Sequence, residues 1–142
     1  MKKLSALLVV LAGLIPVNAY AAEIAVIVNK ANPIDSLTPK EVQQIFLAKK
    51  MSFPDGQQVV PVVYKYEHAL HKKYLRKIVK KTRSQYQVYW TRMVFTGKSQ
   101  PPKSYSSQDT MLKMVASNPS YMGFVERDRV DDSVKVVLTL EE

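Results

Sequence analysis

"EIAVIVNKANPIDSLTPKEVQQIFLAKK", residues Glu23 to Lys50, changes its hydrophobic period once, and that change sets the fold class. Its first part, Glu23–Asn29, is a short apolar run rich in β-branched side chains and closed by polar ones, the pattern of a buried strand. Asn32-Pro33 then breaks the run with a turn signal. The following helix announces itself by three agreeing features. Thr38 stands as N-cap, Pro39 at the first helical position, and Glu41 completes a capping box, ahead of the apolar stripe Val42, Ile45 and Phe46.

The same alternation continues downstream. Pro54-Asp55-Gly56 signals a turn before a second strand over Val59–Tyr64, interrupted near its start by Pro61. A helix is expected from about Glu67 to Lys81, and another from Ser84, as N-cap, to Phe95, with Val88, Tyr89, Trp90, Met93 and Val94 as its apolar residues. "TGKSQPPKSYSS" reads as a loop that Gly97 opens and Pro101-Pro102 stiffens. Ser106 is expected to cap the next helix, which buries Met111, Leu112, Met114 and Val115 and stops at Asn118-Pro119. "YMGFVE" and "SVKVVLTL" close the chain as strands, the second with Val134, Val136, Leu138 and Leu140 inward against Lys135 and Thr139. Strands separated by helices in this order imply an α/β fold, a three-layer sandwich around a mixed sheet.

Upstream of Glu23, Lys2 and Lys3 precede the apolar run Leu7–Ile15 and the small-residue site Ala19-Tyr20-Ala21. This is a secretory signal over residues 1–21, with cleavage expected after Ala21 and residues 22–142 left as one periplasmic or secreted domain. The apolar run falls well short of the roughly 20 residues that span a bilayer. The 142-residue chain has no Cys, which removes disulfides, thiol catalysis and thiolate metal sites; about 120 mature residues must fold on a hydrophobic core, and 46% apolar content permits it.

The formal charge of +9 favours anionic partners without choosing among them. It is densest in "YKYEHALHKKYLRKIVKK", Tyr64 to Lys81. On a helical wheel Leu70, Tyr74, Leu75, Ile78 and Val79 share one half, and Lys72, Lys73, Arg76, Lys77, Lys80 and Lys81 fill the other. That basic face either solvates the helix or docks an anionic protein, lipid or polysaccharide. Nucleic acid is not expected, because the nearby aromatics Tyr74, Tyr89 and Trp90 fall on apolar faces rather than beside the lysines. His68 and His71, one turn apart and preceded by Glu67, have the spacing of a metal pair but not the HExxH order, so neither metal nor cofactor is expected. No nucleophile elbow, glycine-rich phosphate loop or triad signature occurs, and Asp128, Asp131 and Asp132 read as turn residues, which points away from an enzyme.

Four segments taken together, "VNKANPIDSLTPKEVQQIF", "FPDGQQVVPVVY", "YWTRMVFTGKSQPPK" and "VASNPSYMGFVE", resemble the short members of the periplasmic phosphate-binding protein family, the solute-binding components of phosphate ABC transporters. The resemblance implies one lobe of a type 2 periplasmic-binding-protein fold, inorganic phosphate or another small anion as ligand, and an ABC-transporter membrane component as a possible partner. The family holds its oxyanion with an arginine followed three residues later by Gly-Ser-Gly-Thr at a helix start, where free N–H groups and the dipole favour an anion. Aligned on "VVPVV", those positions hold Tyr64, Glu67, His68, Ala69 and Leu70, and none matches. Lys65, His68 and His71 are therefore the expected ligand contacts, the histidines donating best when protonated below about pH 6.5.

Overall fold

A computed structural model describes residues 13–14 and 23–141 of the chain. The expected signal peptide and its cleavage site lie outside the described residues, Gly13 and Leu14 excepted. Among the described residues no helix is long and apolar enough to cross a membrane.

Five strands form one mixed sheet: β1 (Ile24–Asn29), β2 (Val60–Tyr64), β3 (Lys103–Tyr105), β4 (Tyr121–Glu126) and β5 (Val134–Leu140), in the order β3-β2-β4-β1-β5. β1 runs antiparallel to both β4 and β5, whereas β2 is parallel to β3 and to β4. All six residues of β1 are buried, so both faces of the sheet centre are covered. On one face lie α1 (Pro39–Phe46), α2 (Ala69–Tyr74) and the π-helical turn Leu75–Val79 that continues α2; on the other lies α4 (Gln108–Ser117). This is the α/β/α sandwich that the alternation of elements implies.

The core has a distinct character on each face. Towards α1 and α2, Phe124 stacks on Tyr74 at 5.3 Å between ring centres and meets Tyr64 and Phe46 edge-on at 5.0 and 5.8 Å. Towards α4 the layers approach so closely that a Cβ at Gly123 would displace the Met111 sulfur and press on Val115 and Val62. Asn29, buried at the end of β1, donates from Nδ2 to the carbonyls of Val115 and Ala116 at 2.9 and 3.0 Å, satisfying the last turn of α4.

The α1 cap forms as the sequence dictates: Glu41 N–H donates to Thr38 Oγ1, and Glu41 returns the bond to the Thr38 N–H. Elsewhere the boundaries move. The helix expected from Glu67 starts only at Ala69, because His68 takes the N-cap position, and ends where Lys80 turns left-handed (φ 52°). Gln43 of α1 donates to the Val79 carbonyl at 3.0 Å, capping the π turn from outside. α3 (Arg83–Phe95) is capped by Thr82 with Gln85 closing its capping box, not by Ser84, and α4 by Ser107, not Ser106. "KSY" within the expected loop pairs with β2 as a three-residue edge strand.

β5 departs from strict alternation. Its pairing with β1 slips between Val26 and Ile27, leaving Val137 as the extra residue of a bulge. Val134 and Val137 are the buried positions; Val136, Leu138 and Leu140 are only half-buried against the core.

A larger departure concerns α3. Tyr86, Tyr89 and Trp90 tie it to the body: the Tyr86 and Tyr74 hydroxyls meet at 2.9 Å, Tyr89 Oη donates to the Leu47 carbonyl, and Trp90 is buried. Of the apolar residues read on this helix, Val88 and Val94 are exposed, as is Phe95. The helix is apolar on two sides and the body covers one of them.

Candidate functional site: a cationic groove at the β2–α2 corner

β2 ends on Tyr64, the chain turns through Lys65, Tyr66 and Glu67, and α2 begins. The turn is closed by the His68 N–H donating to the Lys65 carbonyl at 2.9 Å. The His68 ring lies flat on Tyr64, 4.3 Å between ring centres, and its Nδ1 accepts the Leu70 N–H at 3.1 Å. Tyr64 is fixed beneath it by donating its hydroxyl to the Phe124 carbonyl at 2.6 Å, and burial, with Glu126 adding, raises its phenol far above the ordinary range. The imidazole thus takes one of the N–H groups with which a helix start would hold an anion.

His71 has a different environment. It is buried, and its Nδ1 lies 3.2 Å from the Tyr64 carbonyl, so Nδ1 carries the proton and Nε2 is left as an acceptor. Tyr66, Tyr74 and Tyr86 surround the ring. His68 gives its Nδ1 lone pair to the Leu70 N–H and so carries its own proton on Nε2, which leaves it none for a metal while it caps the helix; among the described residues no group of three His, Asp or Glu side chains is placed to hold a metal.

A groove of about 1140 Å³ runs beside this corner between α2, its π turn and the start of α3. His68 and His71 border it, together with Lys72, Arg76, Lys80, Lys81 and Arg83. Lys65, Lys73 and Lys77 do not, so the structure divides both the expected ligand trio and the expected basic face. Positions 72, 76 and 80 recur every fourth residue and share one side of the helix, whereas 73 and 77 look elsewhere. Arg83 lies over the Tyr66 ring at 3.8 Å and Lys81 over Tyr89 at 5.0 Å, which orients two of the cations.

The charge is more polarised than the run of lysines suggests. Residues 68–108 contain ten Lys and Arg (72, 73, 76, 77, 80, 81, 83, 92, 98 and 103) and no Asp or Glu. The remainder of the chain holds the other eleven against all twelve carboxylates, so the whole excess of +9 resides in this segment. Glu67, just ahead of the segment, is the carboxylate that borders the groove, and the run without acids that follows it is the signal that the sequence offered for this site.

Protonation of His68 works against its capping bond. Burial lowers the His68 pKa, with Glu126 only partly offsetting it, and its Nδ1 can cap Leu70 only while unprotonated. A histidine with a lowered folded pKa leaves stability intact above about pH 6.5 and forfeits it as pH falls, since the unfolded chain then binds the proton more readily. We therefore expect His68→Ala to cost about 1 kcal/mol, His68→Asn, which keeps a capping oxygen, to cost less, and both to flatten the stability decline below about pH 6.5. Urea denaturation of the three proteins at pH 7.5 and 5.5 checks this; an unchanged decline in both variants would show that His68 is not its source.

No protein-family model and no curated relative matches the chain. Solved structures do. An ABC-type phosphate transport receptor from Vibrio cholerae superposes with a TM-score of 0.64 at 20% identity, over 82% of this chain and 47% of the receptor. This is the fold of one receptor lobe. A putative phosphate ABC transporter substrate-binding protein from Clostridium perfringens, solved with bound phosphate, shares that lobe fold at a TM-score of 0.60 and 22% identity, over 82% of this chain and 45% of its own. A possible phosphate binding protein from Planctomyces limnophilus follows at 0.59 and 13%. The chain spans less than half the length of each of these receptors.

Proposed function

We propose that this chain is a non-enzymatic binding protein, exported by residues 1–21 and acting as a single domain over 22–142, that captures a small anion, phosphate first among them, for ABC-transporter uptake. The observation that supports this reading is the gathering of five of that segment's ten cations on one groove at the β2–α2 corner, in a fold that solved phosphate receptors share. The chemistry differs from a helix-start site. With the Leu70 N–H taken by His68, the holding charge comes from Lys72, Arg76, Lys80, Lys81 and Arg83. Charge-assisted contacts from such side chains are roughly twice as strong as neutral ones.

Calorimetric titration of the purified protein with phosphate and with sulfate, at pH 7.5 and 5.5, tests the reading. Lys and Arg stay charged across that range, so saturable binding of sulfate that changes less than about threefold between the two pH values is expected. Strong tightening at pH 5.5 would transfer the role to histidine. No heat with either anion would remove small-anion capture and leave the second reading, an interaction module that uses the same cations on a macromolecule; the self-capped helix start is the observation that favours it.

A further inference from the structure

We infer that the outer face of α3 is a docking surface for an acidic, amphipathic segment of another protein. On a helix of about 3.6 residues per turn, Tyr86, Tyr89, Trp90 and Met93 fall on one side, and Val88 and Phe95, seven residues apart, fall together on the opposite side. The first side is the one the body covers. The second leaves Phe95 90% and Val88 57% exposed, and Val94, 42% exposed, lies between the two sides. A helix with two apolar sides, only one of them buried, carries a surface that water disfavours.

The surroundings describe the occupant. Phe95 borders two adjoining grooves, about 640 Å³ towards Tyr66, Tyr86 and Trp90 and about 440 Å³ towards Val88 and Arg92. Arg83 flanks the first and Arg92 the second, and no carboxylate occurs on α3 or anywhere in residues 68–108. Apolar side chains on one side and carboxylates beside them would satisfy both the exposed Phe95 and the unopposed arginines. A bilayer fits less well, because a lipid surface presses on protruding residues and leaves concave grooves unfilled. A second copy of this chain meeting face to face would set cations against cations, since a two-fold interface opposes the same patch to itself and α3 has no carboxylate to answer Arg83 or Arg92.

This surface shares Arg83 with the proposed anion contacts, and its test keeps the two apart by changing only Val88 and Phe95, neither of which borders the anion groove. The probe is a fluorescent synthetic helix with Leu at positions i, i+3, i+4 and i+7 and Glu elsewhere, titrated with the purified protein by anisotropy; controls are the same peptide with Leu replaced by Ser, and vesicles of phosphatidylglycerol and phosphatidylethanolamine. Binding of the Leu peptide is expected to fall at least tenfold in the Val88→Ser, Phe95→Ser double variant and to weaken with salt, while phosphate titration is unchanged. Both residues are exposed, so the variant should unfold at the wild-type urea concentration. The inference is overturned if the Leu peptide does not bind, if the Leu and Ser peptides bind alike, or if the double variant binds as wild type does. Vesicle binding that depends on Phe95 would assign the face to a membrane instead, and a dimer in sedimentation that the double variant dissolves would assign it to a second copy.

Discussion

Phe124→Ala should destabilise the protein by about 3–5 kcal/mol, a large share of the roughly 5–15 kcal/mol that holds a domain of this size folded. Phe124 is fully buried and touches Phe46, Tyr64 and Tyr74, so its removal opens one void against three aromatic neighbours from α1, β2 and α2. Rings cannot collapse into such a space as aliphatic side chains can, because their stacked and edge-on contacts fix their orientation. Phe124→Leu should cost much less, about 1.5 kcal/mol or under, since it keeps most of the volume. Urea denaturation with a shared m-value measures both, and a loss below about 1 kcal/mol for the alanine would show that the cluster is not central to the core. The effect should reach the groove too. Tyr64 holds the Phe124 carbonyl and carries the His68 ring, so a loosened Phe124 loosens the cap of α2.

The layer order was legible because its signals are local and agree with one another. The β-branched run before Asn29 and the capping box at Thr38 need no knowledge of the rest of the chain. What escaped depends on partners distant in sequence. Lys103–Tyr105 is too short and too polar to read as a strand until β2 is beside it, as edge strands with exposed Lys commonly are. The bulge at Val137 is set by pairing with β1 and buries a residue that strict alternation would turn outward. Val88 and Val94 were indistinguishable from core valines, because composition says that a side chain is apolar and not whether another element reaches it. At the candidate site the sequence placed His68 and His71 correctly at a helix start, yet the direction of their hydrogen bonds lies in the backbone. Nothing in "YEHALH" states that one imidazole accepts from Leu70 while the other donates to Tyr64.

Reversing the groove's charge should abolish anion capture without unfolding the protein. Lys72→Glu, Arg76→Glu, Lys80→Glu and Lys81→Glu together change the formal charge by eight, from +9 to +1, and all four positions border the groove. Three of the side chains are exposed and Lys81 is half-buried over Tyr89, so each should alter stability by no more than about 0.5–1 kcal/mol. Binding should respond far more. Each lost charge-assisted contact is worth about 1.5–3 kcal/mol, and like charges in a cleft repel the ligand besides, so sulfate affinity should fall by at least about a hundredfold. The matching Gln variants separate the two causes, since they delete attraction without adding repulsion and should retain a residual, salt-sensitive affinity. Lys73→Glu with Lys77→Glu is the counter-test: the same helix loses charge on a side that does not line the groove. If that pair weakens sulfate as much as the groove variants do, the field of the whole segment rather than the geometry of the groove is what attracts the anion. If it leaves affinity within about threefold of wild type, attraction is local, and the fourfold spacing of 72, 76 and 80 is the feature that makes it so.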